Sequence, residues 1–484
     1  MAKGQAESAN EKGVIQAGEL APTPDPDIVD WSGPNDPENP RNWSKAYKLT
    51  NIIVISLSVL YTNLATTMFA PGAAVMKHEF GFKSNTVQVL TITMASLGFA
   101  LGQLFIPPLS EVFGRMPIYR ASSIFYMGFT AGCARSTAVA EFLVFRLLTG
   151  MAAASYTSTG GGTVADLLPK EERGVAMAIF TTGPLFGPVL GPILGGFVVE
   201  NLGWRWCFYL ILILAGAVTI ITFFMHETSS INILKSKAAR LRKETGNPNL
   251  RAAGDKQIPI KHLMLRALSR PMKFLFTSPI VALISLYIAF NFGVTMLLFA
   301  TFPTVYEKTY HWSVSVSGLA YTGVGIGCAI GVITFAKLSD RLLKAEGGNY
   351  RAERRLIMMM FVSPMFPIGL FIYGWTTEYK VHWVVPIIGT AICGPGAVII
   401  NSSTQTYIID IFGPQASASA LAAITLLRNL TGAFLPLAAP TLYANLGLGW
   451  GNSVLAFITV AFIPVPIFFY LRGEALRKRF PVQV

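Results

Sequence analysis

Long apolar stretches dominate this sequence and limit what it can fold into. Windows of about twenty residues, nearly free of charged side chains, recur between residues 48 and 471, and this is the length a helix needs to cross about 30 Å of hydrocarbon. The chain is 52% hydrophobic and only 13% charged, whereas a soluble protein carries about 25% charged residues. It therefore cannot cover a water-facing surface of its own size, and we predict an all-α membrane protein.

Twelve of these stretches are predicted to be transmembrane helices, six on each side of a polar linker. They cover 48–70, 86–108, 117–134, 141–165, 174–199, 206–225, 276–301, 313–336, 356–374, 383–408, 416–444 and 451–471. The predicted segments are a disordered cytoplasmic N-terminal tail over 1–47, an N-terminal six-helix bundle over 48–225, a basic cytoplasmic linker over 226–273, a C-terminal six-helix bundle over 274–471 and a short cytoplasmic C-terminal tail over 472–484.

The net charge of +13 comes from basic residues concentrated in alternate loops. The basic loops are 109–116, 166–173, 226–273 and 337–355, and the loops with few basic residues are 71–85, 200–205, 302–312 and 445–450. Because basic loops stay cytoplasmic, both termini and the linker are predicted to lie inside the cell. This distribution explains the positive charge without nucleic acid, so no nucleic-acid partner is predicted.

The linker contains a pattern typical of an amphipathic helix. Ile231, Leu234, Ala238 and Leu241 fall on one helical stripe, and basic residues fill the other faces. Such a helix lies on the inner leaflet or under the bundle. A solvated charged helix within a linker has the same pattern and is an equally good alternative.

Similar short motifs follow the second span of each half. The first half has PLSEVFGR over 108–115 and the second has KLSDRLLK over 337–344, which indicates an internal duplication of the kind found in secondary transporters. Glu111, Gly114 and Arg115, with Asp340 in the second copy, are predicted to form a conformational gate in which charges pair with each other or with helix ends. A plain surface salt bridge, worth little, is the alternative.

The fifth span contains GPLFGPVLGPILGG over 183–196, with glycines and prolines at helical spacing. The residues are Gly183, Gly187, Gly191 and Gly195, followed in turn by Pro184, Pro188 and Pro192. Glycine at every fourth position gives a smooth face on which a partner helix packs closely, and proline bends a helix because it lacks a backbone N–H. We predict a helix that is bent and tightly packed.

These motifs resemble the major facilitator superfamily, and in particular its fungal twelve-helix drug:H⁺ antiporter group. PPLSEVFGRMPIY resembles the family's signature between helices 2 and 3, and the stretch from Arg146 to Gly150 resembles its helix-4 motif. GPLFGPVLGPILGG resembles the helix-5 motif of the antiporter branch. DPENPRNWSK and LLRNLTGAFLPLAAPTLYANLGLGWGN also match. The resemblance implies two pseudo-symmetric six-helix bundles with helix 5 at the contact between them. It also implies a multidrug or secondary-metabolite exporter of the plasma membrane, with the vacuolar membrane as an alternative.

Polar side chains at helical spacing predict a central cavity that binds substrate. The candidates are Asn63, Arg146, Tyr287, Asn291, Phe292, Gln405 and Arg428. Arg428 falls near mid-membrane and no Asp or Glu does, so the cavity is predicted to favour small organic acids or neutral polar molecules over cations. One alternative is that these polar side chains instead bond to neighbouring helices and hold the bundle together. Others are that Arg146 snorkels to the outer interface and that Arg428 caps backbone carbonyls while aromatic side chains select the substrate.

The predicted function is secondary active export by proton antiport through alternating access. The sequence has no G-x-x-x-x-G-K-[ST] nucleotide-binding motif and no nucleophile–base or metal-ligand constellation. We therefore predict that the protein is not an enzyme and binds no cofactor or metal. Its predicted partners are a small-molecule substrate, protons and the lipid bilayer, and it is predicted to be a monomer. The alternatives are a non-transporting sensor on the same scaffold and a proton-coupled importer. The proton-coupling residue stays unassigned, because helices 1 and 4 lack the carboxylate that related antiporters hold there.

Overall fold

The computed structural model describes residues 27–169, 172–255, 259–344 and 351–479. The first half consists of α1 (Lys45–Met68), α2 (Ala73–Glu79), α3 (Asn85–Phe113), α4 (Arg115–Arg135), α5 (Val139–Leu167), α6 (Arg173–Leu202) and α7 (Arg205–Phe223). The linker contributes α8 (Ser230–Thr245) and α9 (Ile260–Thr277). The second half consists of α10 (Pro279–Tyr310), α11 (Val314–Ser317), α12 (Thr322–Lys344), α13 (Leu356–Val362), α14 (Met365–Glu378), α15 (Val384–Phe434), α16 (Ala439–Phe462) and α17 (Pro464–Arg479).

Each predicted span coincides with helix, which confirms the all-α membrane architecture. Ten described segments are long and apolar enough to cross a membrane. The last of them, Ala416–Arg479, has 64 residues and turns at Gly447, where φ is 71°, so it accommodates the two final spans. The predicted third span is α4, whose 21 residues are less apolar and pack between α5 and α7. A second turn, at Gly413, divides α15 into the tenth and eleventh spans.

Helix α6 lays its four regularly spaced glycines against α1. A Cβ on Gly183 would lie 2.8 Å from the backbone nitrogen of Leu60, and one on Gly195 would overlap the carbonyl oxygen of Met68. The two backbones are thus in contact, as small residues allow inside membranes. Pro192 leaves the carbonyl of Pro188 without its helical donor, and the Thr67 hydroxyl of α1 donates to that oxygen at 3.0 Å.

A different face of α6 contacts the second half, as the family resemblance implies. Val189 belongs to a hydrophobic core built mainly from second-half residues. A Cβ on Gly196 would lie 2.8 Å from the carbonyl oxygens of Val314 and Ser315, and the Glu200 carboxylate accepts a hydrogen bond from the Ser315 backbone N–H at 2.6 Å. We call this contact the seam. We call the end of the molecule that bears α8 the linker end, and the opposite end, which contains the seam, the far end.

Residues 27–44 are ordered and bound to the linker, so the prediction of a disordered tail is wrong for them; residues 1–26 lie outside the described part. Strand β1 (Ile28–Val29) pairs in parallel with β2 (Arg251–Ala252), and the apolar stripe of α8, with Leu234 and Ala238 buried, packs against both strands. The predicted amphipathic helix is therefore present. Leu234 and Ala238 of its apolar stripe are covered by protein, whereas Ile231 is 43% exposed. At the other end of the chain, α17 continues the twelfth span to Arg479, within the range predicted as a tail.

A buried ion pair fastens this N-terminal segment to α8. Oδ2 of Asp36 lies 2.9 Å from Nζ of Lys237, and the two side chains are 4% and 10% exposed. Lys237, with the backbone N–H groups of Ser32 and Glu38, holds the pKa of the Asp36 carboxyl well below its usual range. Arg240 forms a second, more exposed pair with Glu38 at 2.9 Å.

Replacing Gly195 by alanine should lower stability, because the added methyl group overlaps the α1 backbone. Overpacking a tight contact costs about 1–3 kcal/mol, and more where backbone must move. Gly216→Ala is the matched control: no atom lies within 4 Å of its new Cβ, so helix propensity alone should leave stability unchanged or raise it by up to about 1 kcal/mol. Thermal melting of detergent-purified protein tests this, and equal melting temperatures for the two variants would contradict it.

Asp36→Asn should lower the melting temperature at neutral pH, because it leaves Lys237 buried without its carboxylate. A depressed carboxyl pKa stabilises the fold fully above the unfolded value of about 3.9, and this contribution is lost progressively as the pH falls from there toward the folded pKa. Wild type and Asp36→Asn should therefore converge as the pH falls below about 4. Asp30→Asn, at an exposed carboxylate of the same segment, should match wild type throughout, and a pH-independent deficit of Asp36→Asn would argue against the ion pair.

Candidate functional site

A charged cluster at the linker end of the first half is built around Arg115, the first residue of α4. Gly114 precedes it with φ of 96°, a conformation that favours glycine. Nε of Arg115 lies 3.4 Å from Oδ2 of Asp166, and Nη1 donates to the Ser110 hydroxyl at 2.8 Å. Glu111 is exposed, so the acid that pairs with Arg115 is Asp166 and not the predicted Glu111.

Glu227, in the loop after α7, satisfies the start of α4. Its carboxylate accepts hydrogen bonds from the backbone N–H groups of Arg115 at 3.0 Å and Met116 at 3.1 Å, where free N–H groups and the helix dipole favour an anion. A Cβ on Gly114 would overlap this carboxylate. Nothing in the sequence near Gly114 points to Glu227 as its partner, because the two residues lie far apart in the chain.

The second half repeats the first cluster with different sequence spacing. Nε of Arg355 lies 3.0 Å from Oδ2 of Asp410, and Nη1 donates to the Ser339 hydroxyl at 3.0 Å. Ser339 and Ser110 occupy the same place in the two motifs, and Asp410 and Asp166 both lie near the end of a span. Asp340 lies in α12, but its side chain is outside the described part of the structure. The duplication inferred from sequence thus extends to the geometry of the charged groups.

Arg146 of α5 holds three helices together. It is 1% exposed and donates to the backbone carbonyls of Ala65 at 3.1 Å and Thr66 at 2.8 Å on α1. It donates likewise to Thr91 at 3.3 Å and Ile92 at 3.4 Å on α3. These acceptors satisfy a guanidinium inside the membrane, where a charge is costly. The prediction that Arg146 lines a cavity is therefore wrong for this structure, and the snorkelling alternative does not describe it either.

Tyr287 and Asn291 belong to the core of the second half and not to a cavity wall. Tyr287 is fully buried; its hydroxyl donates to Ser363 at 2.9 Å and its ring stacks on Phe462. Asn291, four residues later on the same helical face, is 4% exposed, and its amide nitrogen has no hydrogen-bond partner among the described residues. Both were predicted to bind substrate, and their burial contradicts that role in this conformation.

The remaining cavity candidates differ in accessibility. Asn63 is half-buried at the contact of α1 with α6, and its amide donates to the Val59 carbonyl of its own helix at 2.8 Å. Gln405 is exposed on α15. Neither side chain touches Arg428 through a described hydrogen bond, so the structure does not unite all the predicted substrate-binding residues in one place.

Arg428 and Phe292 form the best-defined interior site. Cζ of Arg428 lies 5.0 Å from the centre of the Phe292 ring, a cation–π contact between α15 and α10. Both side chains are half-buried, and within the described residues Nε of Arg428 has no hydrogen-bond partner. Asn429, the next residue, donates to Gln103 of α3 at 3.0 Å across the two halves. The site thus presents an unpaired guanidinium and an aromatic face at the boundary between the halves, which suits an anion with an apolar body.

The described residues contain no group of three or more His, Cys, Asp or Glu side chains placed to hold a metal ion. The four cysteines are free and buried. Within the described interior, Arg428 and Phe292 are our candidates for a ligand-binding site.

Comparison with known proteins places the chain in a family. The family model described as Major Facilitator Superfamily matches residues 55–436. The chain is 52% identical over 478 residues to MFS transporter fsa7 of Fusarium sp. (strain FN080326), covering 98% of this chain and 94% of that protein. It is 49% identical over 483 residues to the Trichosetin biosynthesis cluster MFS transporter of Gibberella fujikuroi, covering 98% and 94%.

Solved structures share the fold at low sequence identity. A D-xylose-proton symporter superposes with a TM-score of 0.65 at 14% identity, covering 87% of this chain and 99% of that one. A bacterial homologue of the human lysosomal transporter Spinster, in an inward-facing and unoccupied conformation, gives 0.64 at 15% identity, covering 91% and 100%. From the family match, the close relatives and the shared fold, the chain belongs to the Major Facilitator Superfamily and is a membrane transporter and not an enzyme.

Proposed function

We propose that this transporter exports a small acidic or neutral organic molecule, of the secondary-metabolite class, in exchange for protons. The observation that carries the proposal is the unpaired guanidinium of Arg428 lying on the Phe292 ring. A charged group left unpaired inside a membrane protein marks a functional site by default. One relative is named for a biosynthesis cluster, which supports an organic product as substrate and export as the direction.

Alternating access then uses two sets of contacts. At the far end the seam closes α6 against the second half, through Gly196 and through the bond from Ser315 to Glu200. At the linker end the Arg115–Asp166 and Arg355–Asp410 pairs hold each half together and, in our proposal, act as the gate first assigned to Glu111, Gly114, Arg115 and Asp340. Opening of the seam and rearrangement of these pairs would expose Arg428 to one side at a time.

Arg428→Gln should lower export of an acidic probe at least tenfold, because a hydrogen bond to a charged group contributes about 1.5–3 kcal/mol. Fluorescein and rhodamine 6G share a xanthene core and differ in charge, so their efflux from expressing cells, with and without a protonophore, tests both charge preference and coupling. Arg428→Lys should give an intermediate rate, because lysine keeps the charge but not the planar fork. Arg472→Gln, at an exposed position, is the charge-matched control.

Protonophore-sensitive efflux of fluorescein that requires Arg428 would support the proposal. Efflux of rhodamine 6G alone would keep an exporter and refute an anion-selective site. If a wider panel of organic acids and neutral toxins also gave no protonophore-sensitive efflux, the proposed export function would be rejected in favour of a sensor or an importer.

We propose further that the protein is a monomer of the plasma membrane, which is the membrane that the family resemblance implies. On the basis of its basic loops, we propose that both termini lie in the cytoplasm. The basic α8 and the N-terminal segment bound to it both lie at the linker end, so this end should face the cytoplasm. A C-terminal fluorescent fusion should outline the cell, and protease added outside intact cells should leave the fusion uncut. Labelling of the vacuolar membrane, or cleavage from outside, would contradict the assignment.

A further inference from the structure

Glu307 occupies a position that sequence alone assigns to a loop. The predicted seventh span ends at residue 301, but α10 continues to Tyr310, and Glu307 lies in its last turn at the far end. Phe302, Val305 and Tyr306 in the same turns are buried. The carboxylate is therefore carried by a membrane helix and set among packed apolar and aromatic side chains.

One oxygen of this carboxylate is buried without a donor. Oε1 of Glu307 has no hydrogen-bond partner among the described residues. Other carboxylates of the described spans that are buried or half-buried do have partners: Asp166 with Arg115, Asp410 with Arg355, and Glu353 with Arg477. Also at the far end, the Glu79 carboxylate accepts hydrogen bonds from the side chains of Trp204 and Arg205. An ionised carboxylate without such a partner is unfavourable in a low-dielectric setting, and protonation removes the charge.

The seam lies directly beyond Glu307. Helix α11, which follows α10 in the chain, packs against it, and the Ser317 hydroxyl of α11 donates to the Val314 carbonyl at 2.8 Å. The carbonyls of Val314 and Ser315 face Gly196 of α6 across the seam. Because α11 packs on α10, a movement of the end of α10 that brings an ionised Glu307 into water would displace the element that closes the far end.

The groups around Glu307 do not neutralise it. Lys308, next to it on α10, is exposed. The other titratable groups near it among the described residues include Tyr306 and Tyr310 of α10, Tyr321 before α12, Tyr373 of α14, Tyr443 of α16 and, across the seam, Glu200 of α6. The tyrosines are neutral at physiological pH, and Glu200 carries the same sign as Glu307.

We propose that Glu307 is a proton-binding site that couples the pH at the far end to closure of the seam. Protonation favours the closed far end seen here, and ionisation favours its opening to water, where the carboxylate is solvated. The inference rests on the position of Glu307 and the seam, and does not depend on the substrate or direction proposed above.

The test needs no substrate. Full-length protein in proteoliposomes on a solid-supported membrane is given pH jumps, with protons as the only probe, and the charge displacement is recorded. Wild type should show a displacement that Glu307→Gln loses, and Glu307→Asp, which keeps a titratable carboxyl, should retain it. Glu141→Gln, at an exposed far-end carboxylate, is the matched control and should behave as wild type.

Thermal melting supplies a second measurement. Because the unpaired charge destabilises the closed form, wild type should become more stable between pH 8 and pH 5 by an increment that Glu307→Gln lacks. A Glu307→Gln protein that is monodisperse and keeps both the displacement and the pH-dependent increment would overturn the proposal. Loss of both in Glu307→Gln, with recovery in Glu307→Asp, would support it whether or not any acid is exported.

Discussion

The cost of leaving a polar or charged group unsatisfied inside a membrane shapes most of this structure. Hydrocarbon offers no hydrogen bonds, so each charge within the spans needs an internal partner or access to water. Arg146 finds backbone carbonyls on two neighbouring helices, Arg115 finds Asp166, and Arg355 finds Asp410. Among the described residues, Arg428 and Glu307 are half-buried charges for which no such partner is found, and we therefore look for function at these two positions.

Close contact between helix backbones also stabilises the structure. Along α6 one set of glycines rests on α1, and Gly196 on another face rests on the second half. The helix is therefore fixed to its own half while its other side forms the seam. Proline fits this arrangement because the carbonyl it frees at Pro188 is satisfied by Thr67 of α1. A helix of this kind can move with the first half as a rigid unit while the seam opens or closes.

The sequence predicted the fold well because its signals are local. Span length, apolar composition and the repeated Leu-Ser-acid motif each depend on neighbouring residues, and every predicted span is helical in the structure. Partner choice is not local: Arg115 pairs with Asp166 and Glu227 caps α4, although nothing near Gly114 in the chain points to either. Arg146 was misassigned because its acceptors are backbone carbonyls, which every residue has. The sequence did not predict that Glu307 lies in a helix, because the hydropathy of the chain falls before α10 ends at Tyr310.

The two half-buried charges for which no partner is described belong to the same half of the molecule. Arg428 on α15 and Glu307 on α10 both belong to the second half, whereas the corresponding far end of the first half joins Glu79 to Arg205. The two halves thus share the same linker-end clusters but differ in their half-buried charges without described partners. Since α10 carries both Phe292, which faces Arg428, and Glu307 near the seam, a displacement of this one helix would change the anion site and the far-end gate together. That shared helix gives a physical route by which proton binding and substrate binding can influence each other without direct contact.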